Sequence, residues 1–337
     1  MAGIGRGDEP VEETRPGGGR RRRRALRITA GAVAGAVVAV AFALRAPSPV
    51  GHWNSAEGRA DFLAAYDRAM AAMPRPAATL DVPTDFGFVR VYRYAGAAGR
   101  AEPLVLLPGR ASASPVWADN MPSLLRIGDV YTLDLLGEPG RSVQDAPITS
   151  AADQAAWLDQ VLERLPEHAF HVVGLSIGGW AAVHLALRAP RRVATLTLID
   201  PVYTFSDIPF ATALRAIPAA VPWLPKSWRD SFTSYTAGGA AVTDVPVAAM
   251  IESGMRNHTR RLPQPALLPE KDLRRLTMPV LAILAGDSVM HDPATSRTVA
   301  ERALPHATVK LYPHASHALN GEHPAELATD LTTFLIP

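Results

Sequence analysis

The sequence predicts an α/β fold, a mostly parallel, doubly wound sheet with a helical cap inserted late in the chain. Three observations carry this. From about residue 80 onward, short apolar runs of strand length alternate with helical segments. Several of the runs are apolar throughout, as strands covered on both faces are. The alternation stops between Tyr203 and Glu270, where aromatic residues and prolines take over.

At the start of the chain, residues 1–27 are rich in Gly, Glu and Arg, and read as a disordered basic N-terminus with five consecutive arginines, Arg20 to Arg24. A run of 17 uncharged residues comes next, Ile28 to Leu44, closed by Arg45. Arginines ahead of an apolar run mark either a single membrane span with its basic side in the cytoplasm or a secretory signal. The run is longer than an ordinary signal core of about 7–15 residues, which favours an uncleaved anchor. Ala41-Phe42-Ala43 would serve a signal peptidase, and the cleaved protein would then be secreted.

Residues 46–79 read as a linker and a helix over Ser55–Met73, and 80–337 as the sheet domain. Phe86–Tyr94, Pro103–Gly109, Asp129–Leu135, Phe170–Gly174, Val193–Ile199, Pro279–Ala285 and Val309–Tyr312 have the composition of strands. Helices are predicted after Ser150, where Leu158, Val161, Leu162 and Leu165 form an apolar stripe, and over Ile177–Arg188, Pro293–Ala303 and Pro324–Leu335. The insertion, about 203–270, carries Phe205, Phe210, Trp223, Trp228, Phe232 and Tyr235.

Composition excludes several classes. There is no cysteine, so disulfide scaffolds, Cys-ligated metal sites and cysteine nucleophiles are out. The net charge of +2 conceals an asymmetry, since residues 46–337 hold 25 basic and 28 acidic residues. A domain so balanced offers no basic face for nucleic acid. Oligomeric state leaves no mark in the sequence.

One motif carries chemistry. Gly174-Leu175-Ser176-Ile177-Gly178 matches G-x-S-x-G, with an apolar strand before it and a helix after it. So tight a turn strains the serine backbone and leaves no room for side chains two positions either side. Ile177 opens the helix, so its N–H faces a developing oxyanion at the positive helix end. No dinucleotide, P-loop or H-E-x-x-H pattern occurs.

With these residues in place, the chain resembles the α/β-hydrolase family over roughly 80–337, and its serine esterases in particular. The resemblance implies a chain order of Ser, acid, His. His317, in Pro313-His-Ala-Ser-His-Ala-Leu319, stands where the family keeps its general base; His314 is the rival, and the other eight histidines read as solvated or core residues. A second oxyanion donor is implied at the N–H of Arg110, where Pro108-Gly109-Arg110 replaces the family's usual His-Gly. Asp134–Ser142 also resembles the family's D-x-x-G-x-G-x-S loop, with one residue extra.

The acid is open among three residues. The family register, set on Gly286 and Pro293, falls on Val289 rather than an acid. Asp287 ranks first, being at a strand's C-terminal edge. Asp292 ranks second, with a helix N-cap as its alternative role. Asp200, after the preceding strand, ranks third.

The implied reaction is hydrolysis of a small-molecule ester, on an apolar substrate, through an acyl-enzyme formed by Ser, His and Asp, with no metal or organic cofactor. An acyltransferase, a carbon–carbon hydrolase or a cofactor-free peroxidase would share the triad. A non-catalytic binding protein on the same fold is the alternative of another class.

Overall fold

The computed structural model describes residues 2, 48–97, 102–221, 223–242 and 245–336. The arginine run and the apolar stretch 28–44 lie outside them. Among the described residues, no helix is long and apolar enough to cross a membrane.

Strand β1 (His52–Trp53) leads into helix α1 (Ala56–Met70), which starts where the Ser55 hydroxyl accepts the Gly58 N–H at 2.9 Å. Strands β2 (Ala78–Thr84) and β3 (Gly87–Tyr94) form an antiparallel pair. Strand β2 was not expected from the sequence, because Val82 is its one buried residue and Pro83 interrupts it. A proline is tolerated in an edge strand, and β2 lies at the sheet's edge.

Next come β4 (Leu104–Leu107), α2 (Met121–Ile127), β5 (Val130–Leu133) and the short β6 (Val143–Gln144). Helix α3 (Ala151–Glu163) opens with a capping box in which Ser150 and Asp153 satisfy each other's backbone N–H groups. After it stand β7 (Phe170–Leu175), α4 (Ile177–Arg188) and β8 (Val193–Ile199).

The alternation breaks after β8. Helices α5 (Phe210–Ala219), α6 (Lys226–Thr236) and α7 (Pro246–Asn257) lead to β9 (His258–Thr259), which pairs with β1, and to the short α8 (Glu270–Leu273). The pattern then resumes with β10 (Val280–Ala285), α9 (Pro293–Ala303), β11 (Ala307–Tyr312), α10 (Leu319–Glu322) and α11 (Pro324–Leu335).

The large sheet runs β11-β10-β8-β7-β4-β5-β3-β2, with β6 paired to β3. It is parallel from β11 to β5 and antiparallel beyond. Strand residues alternate between two cores. Val105, Leu107, Val172, Leu196 and Leu198 face α3 and α4, whereas Leu104, Leu106, Val173, Leu281 and Ile283 face α1, α2 and α11. Each fully buried Leu or Val contributes about 1.5–3 kcal/mol. Helix α1, expected from the sequence to precede the sheet domain, inserts Phe62, Tyr66 and Ala69 into the second core, and Pro49–Pro337 form one compact unit.

Strand register brings four strand ends to one edge of the sheet. Leu175 pairs with Ile199, Ile199 with Ile283, and Ala285 with Tyr312, so β7, β8, β10 and β11 terminate side by side. In open α/β sheets that edge is where ligands bind.

Candidate active site

Ser176 stands between β7 and α4 at φ 55°, ψ −119°, a backbone conformation that strains any side chain. The glycines around it make the turn possible. A Cβ on Gly174 would lie 2.5 Å from the Gly178 carbonyl oxygen, and one on Gly178 would lie 2.4 Å from that of Leu107. The Ser176 N–H donates to Ile199 O at 2.9 Å, which ties the turn to β8.

His317 stands after β11. Its Nε2 is 2.8 Å from Ser176 Oγ and its Nδ1 is 2.6 Å from Asp200 Oδ2. The loop before it is held by Glu322, which accepts from the Ser316 N–H at 2.8 Å and the Ser316 hydroxyl at 2.5 Å. His314 is exposed to solvent.

Asp200 directly succeeds β8, at φ 43° and fully buried. Its Oδ1 accepts from the Ala285 N–H at 2.8 Å and from His291 Nε2 at 2.5 Å. Its Oδ2 accepts from the Ser288 hydroxyl at 2.7 Å and from His317. Burial pushes this carboxyl up, but the bonds from His291 and His317 outweigh it and hold the group well below the usual carboxylate range. Burial alone would lower His291; the hydrogen bond and the charge of Asp200 raise it instead.

The acid order expected from the sequence is corrected by this geometry. Asp200, ranked third, is the carboxylate on His317. Asp287, ranked first, is exposed, and its N–H is engaged with Ala315 O at 3.0 Å. Asp292 caps α9, accepting the Thr295 N–H at 2.7 Å, and that bond lowers its pKa. The reason lies in the sheet. The loop after β10 supplies donors to a carboxylate on the neighbouring strand rather than an acid of its own. Val289, where the family register fell, gives its carbonyl to the Thr212 hydroxyl at 2.6 Å.

Ser288 and His291 were missed as site residues, since nothing in the local sequence separates His291 from a core histidine. Its Nδ1 is buried with no hydrogen-bond partner among the described residues, so the ring's contact with Asp200 is its polar anchor.

The loop after β4 passes close to the serine: a Cβ on Gly109 would lie 3.5 Å from Ser176 Cβ. Glu138 pins that loop. It accepts the Ala111 N–H at 3.0 Å, and the Arg110 and Arg260 guanidinium groups stand 3.9 and 3.8 Å from it. Beside Ile177 is a cavity of about 20 Å³, lined by Leu135, Leu136, Trp180, Ala181 and Leu262 among others. It is large enough for a water and far smaller than a drug-sized ligand pocket of about 300 Å³ or more. Among the described residues, no three His, Asp or Glu converge as metal ligands would.

A strained serine at a strand-to-helix turn, a histidine after the last strand and a buried aspartate on the adjoining strand define an α/β hydrolase. Residues 104–330 match the alpha/beta hydrolase family, and the chain belongs to it. Among curated proteins it is 25% identical over 270 residues to the uncharacterized carboxylesterase nap of Bacillus subtilis, covering 77% of this chain and 87% of that one. It is 24% identical over 282 residues to the carboxylesterase YbfK of the same organism, covering 81% and 93%. Among solved structures it superposes on the B. subtilis carboxylesterase CesB with a TM-score of 0.75 at 23% identity, over 83% of this chain and 99% of that one. For the naproxen esterase of B. subtilis the TM-score is 0.76 at 22% identity, with the same coverage.

Proposed function

We propose that the protein is a carboxylic-ester hydrolase in which Ser176 is the nucleophile, His317 the general base and Asp200 the acid that orients it. The observation that carries this is the continuous line from Ser176 Oγ through His317 to Asp200, at 2.8 and 2.6 Å. The similarity to carboxylesterases supports ester hydrolysis as the reaction.

A serine hydroxyl is a weak nucleophile until a base takes its proton. His317 Nε2 lies within reach of that proton, and Asp200 holds the imidazole in the tautomer that leaves Nε2 free to accept it. As Ser176 Oγ bonds to the ester carbon, the carbonyl oxygen becomes an oxyanion, stabilised by the N–H groups of Ile177 and Arg110. Collapse expels the alcohol, which takes the proton from His317. Water then attacks the acyl-enzyme by the same route, releasing the acid and restoring Ser176.

Ser176→Ala should cut turnover of a p-nitrophenyl ester by about 10³-fold or more with an unchanged melting temperature. A fluorophosphonate should label Ser176 alone. Full activity in the variant, or labelling elsewhere, overturns the assignment.

The N-terminal segment completes the reading. Residues 28–44 anchor the chain by a single span, with Arg20 to Arg24 on the cytoplasmic side. The sequence alone supports this: 17 uncharged residues between arginines. The full chain should resist extraction from membranes by alkaline carbonate, and its release into the supernatant would count against the anchor.

A further inference from the structure

Helix α5 is built inside out. Its buried residues are Thr212 and Ala219. Phe210, Leu214 and Ile217, which share one face at spacings of four and three, are 83%, 56% and 59% exposed. The helix leads to Trp223, 83% exposed, and to Trp228 in the first turn of α6, 49% exposed. The orientation is fixed from within, because the Thr212 hydroxyl is bonded to Val289 O in the loop that also holds Asp200. Single exposed apolar residues are ordinary, but a helix that turns Thr inward and Phe, Leu and Ile outward is not. Phe, Trp and Leu on an exposed helical face are the composition of an element that lies in a lipid–water boundary.

Chain length says which surface this face meets. The first strand, β1, pairs with β9 at the end of the insertion, so the chain enters the folded domain there. From Arg45, which closes the apolar run, to Gly51 is a reach of about 20 Å at full extension. A span ending at Leu44 would bring β1 and β9, at the end of the insertion, within that reach of the bilayer. Charge does not oppose contact with a neutral surface: Lys226 is paired with Asp230 at 2.7 Å, and Arg215 lies over the Tyr235 ring.

We propose that the α5–α6 face docks on the phospholipid surface of the membrane that holds residues 28–44, with Phe210, Leu214, Ile217, Trp223 and Trp228 in the headgroup and upper acyl region. This rests on the N-terminal anchor proposed for residues 28–44, not on the catalytic assignment.

The tryptophans provide the test. Of the six, Trp117, Trp157 and Trp180 are buried and Trp53 is half-buried against Phe62, leaving Trp223 and Trp228 as the exposed pair. The full chain is reconstituted in phosphatidylcholine vesicles with and without brominated acyl chains, and tryptophan emission is compared after flotation. Emission should be quenched by the brominated lipid. Most of that quenching should be lost in the Trp223→Ser/Trp228→Ser variant, while turnover of a water-soluble acetate ester stays at the wild-type rate. Phe210→Ser/Leu214→Ser, which keeps both tryptophans, should also weaken it. Equal quenching in wild type and the tryptophan variant overturns the proposal. So does a floating chain with unquenched tryptophans, whether or not cross-linking shows a second copy on the face; the anchor then stands and the docking falls. A chain that does not float overturns both.

Discussion

Two carboxylates in this molecule have the same burial and the same number of donors, yet opposite electrostatic fates. Asp134 accepts from the Ser114 N–H, the Ser114 hydroxyl, the Arg141 N–H and the Tyr66 hydroxyl. Asp200 accepts from the Ala285 N–H, the Ser288 hydroxyl, His291 and His317. Both side chains are out of water. Burial pushes Asp134 up, and its neutral donors fail to bring it back. Burial pushes Asp200 up too, and its two imidazoles more than reverse this. What separates these two buried acids is the pair of imidazoles on Asp200, which Asp134 lacks. Asp134 joins α1 to the loops around Ser114 and Arg141; Asp200 bonds His317, where the proposed mechanism needs a carboxylate beside an imidazolium.

The sharpest way to break this comparison is to neutralise each acid in turn. Asp200→Asn should lower kcat by about 10⁴ through loss of the correct His317 tautomer, read by steady-state kinetics on a p-nitrophenyl ester. An Asp200→Asn enzyme with near-normal kcat would show that His317 is oriented by something else.

Asp134→Ala should act on stability instead. It strands the buried N–H and hydroxyl of Ser114, at a cost of about 3 kcal/mol in urea unfolding, with kcat per folded molecule preserved. A dead but stable Asp134→Ala would erase the distinction.

The pH dependence should separate the two by sign. Asp200 is depressed in the fold, so its stabilisation is present above its unfolded value of about 3.9 and is lost as pH falls through the folded value. Asp134 is raised, so what it contributes at low pH is lost as pH rises through its folded value. Urea midpoints measured from about pH 3 to about pH 8 should show Asp200→Asn with a flatter acid limb. Asp134→Asn should instead fall less on the neutral side, each by an amount on the order of 1 kcal/mol. Identical profiles would mean that neither acid titrates differently in the fold.

The smallest effects belong to the acids that the sequence ranked higher. Asp292→Ala should cost about 1 kcal/mol of stability for a lost helix cap, with kcat intact. Asp287→Asn, on an exposed residue, should stay within about 0.5 kcal/mol and leave turnover unchanged. Loss of activity in either variant would reopen the choice of acid.

Ser176 was legible because everything that makes it special is local: a strand, two glycines whose Cβ atoms would collide, and a helix. His317 was legible from chain order and its place after a final strand. Asp200's place beside His317 was not, because it depends on β8 lying beside β10, and on a loop 88–91 residues away turning Ser288 and His291 toward it. Strand adjacency in a parallel sheet is a long-range property, and a carboxylate at one strand end looks like a carboxylate at the next. Strand β2 escaped for a related reason: its stability comes from pairing with β3 rather than from an apolar pattern of its own.

The pairing of Ile199 with Ile283 also makes the acid part of the sheet's own fabric. The Asp200 N–H donates to Ile283 O at 2.8 Å and the Asp200 carboxylate accepts the Ala285 N–H at 2.8 Å, so main chain and side chain are both fastened to β10. A shift of this carboxylate away from His317 would therefore have to tear main-chain bonds between two central strands, which makes the acid as immobile as the sheet itself.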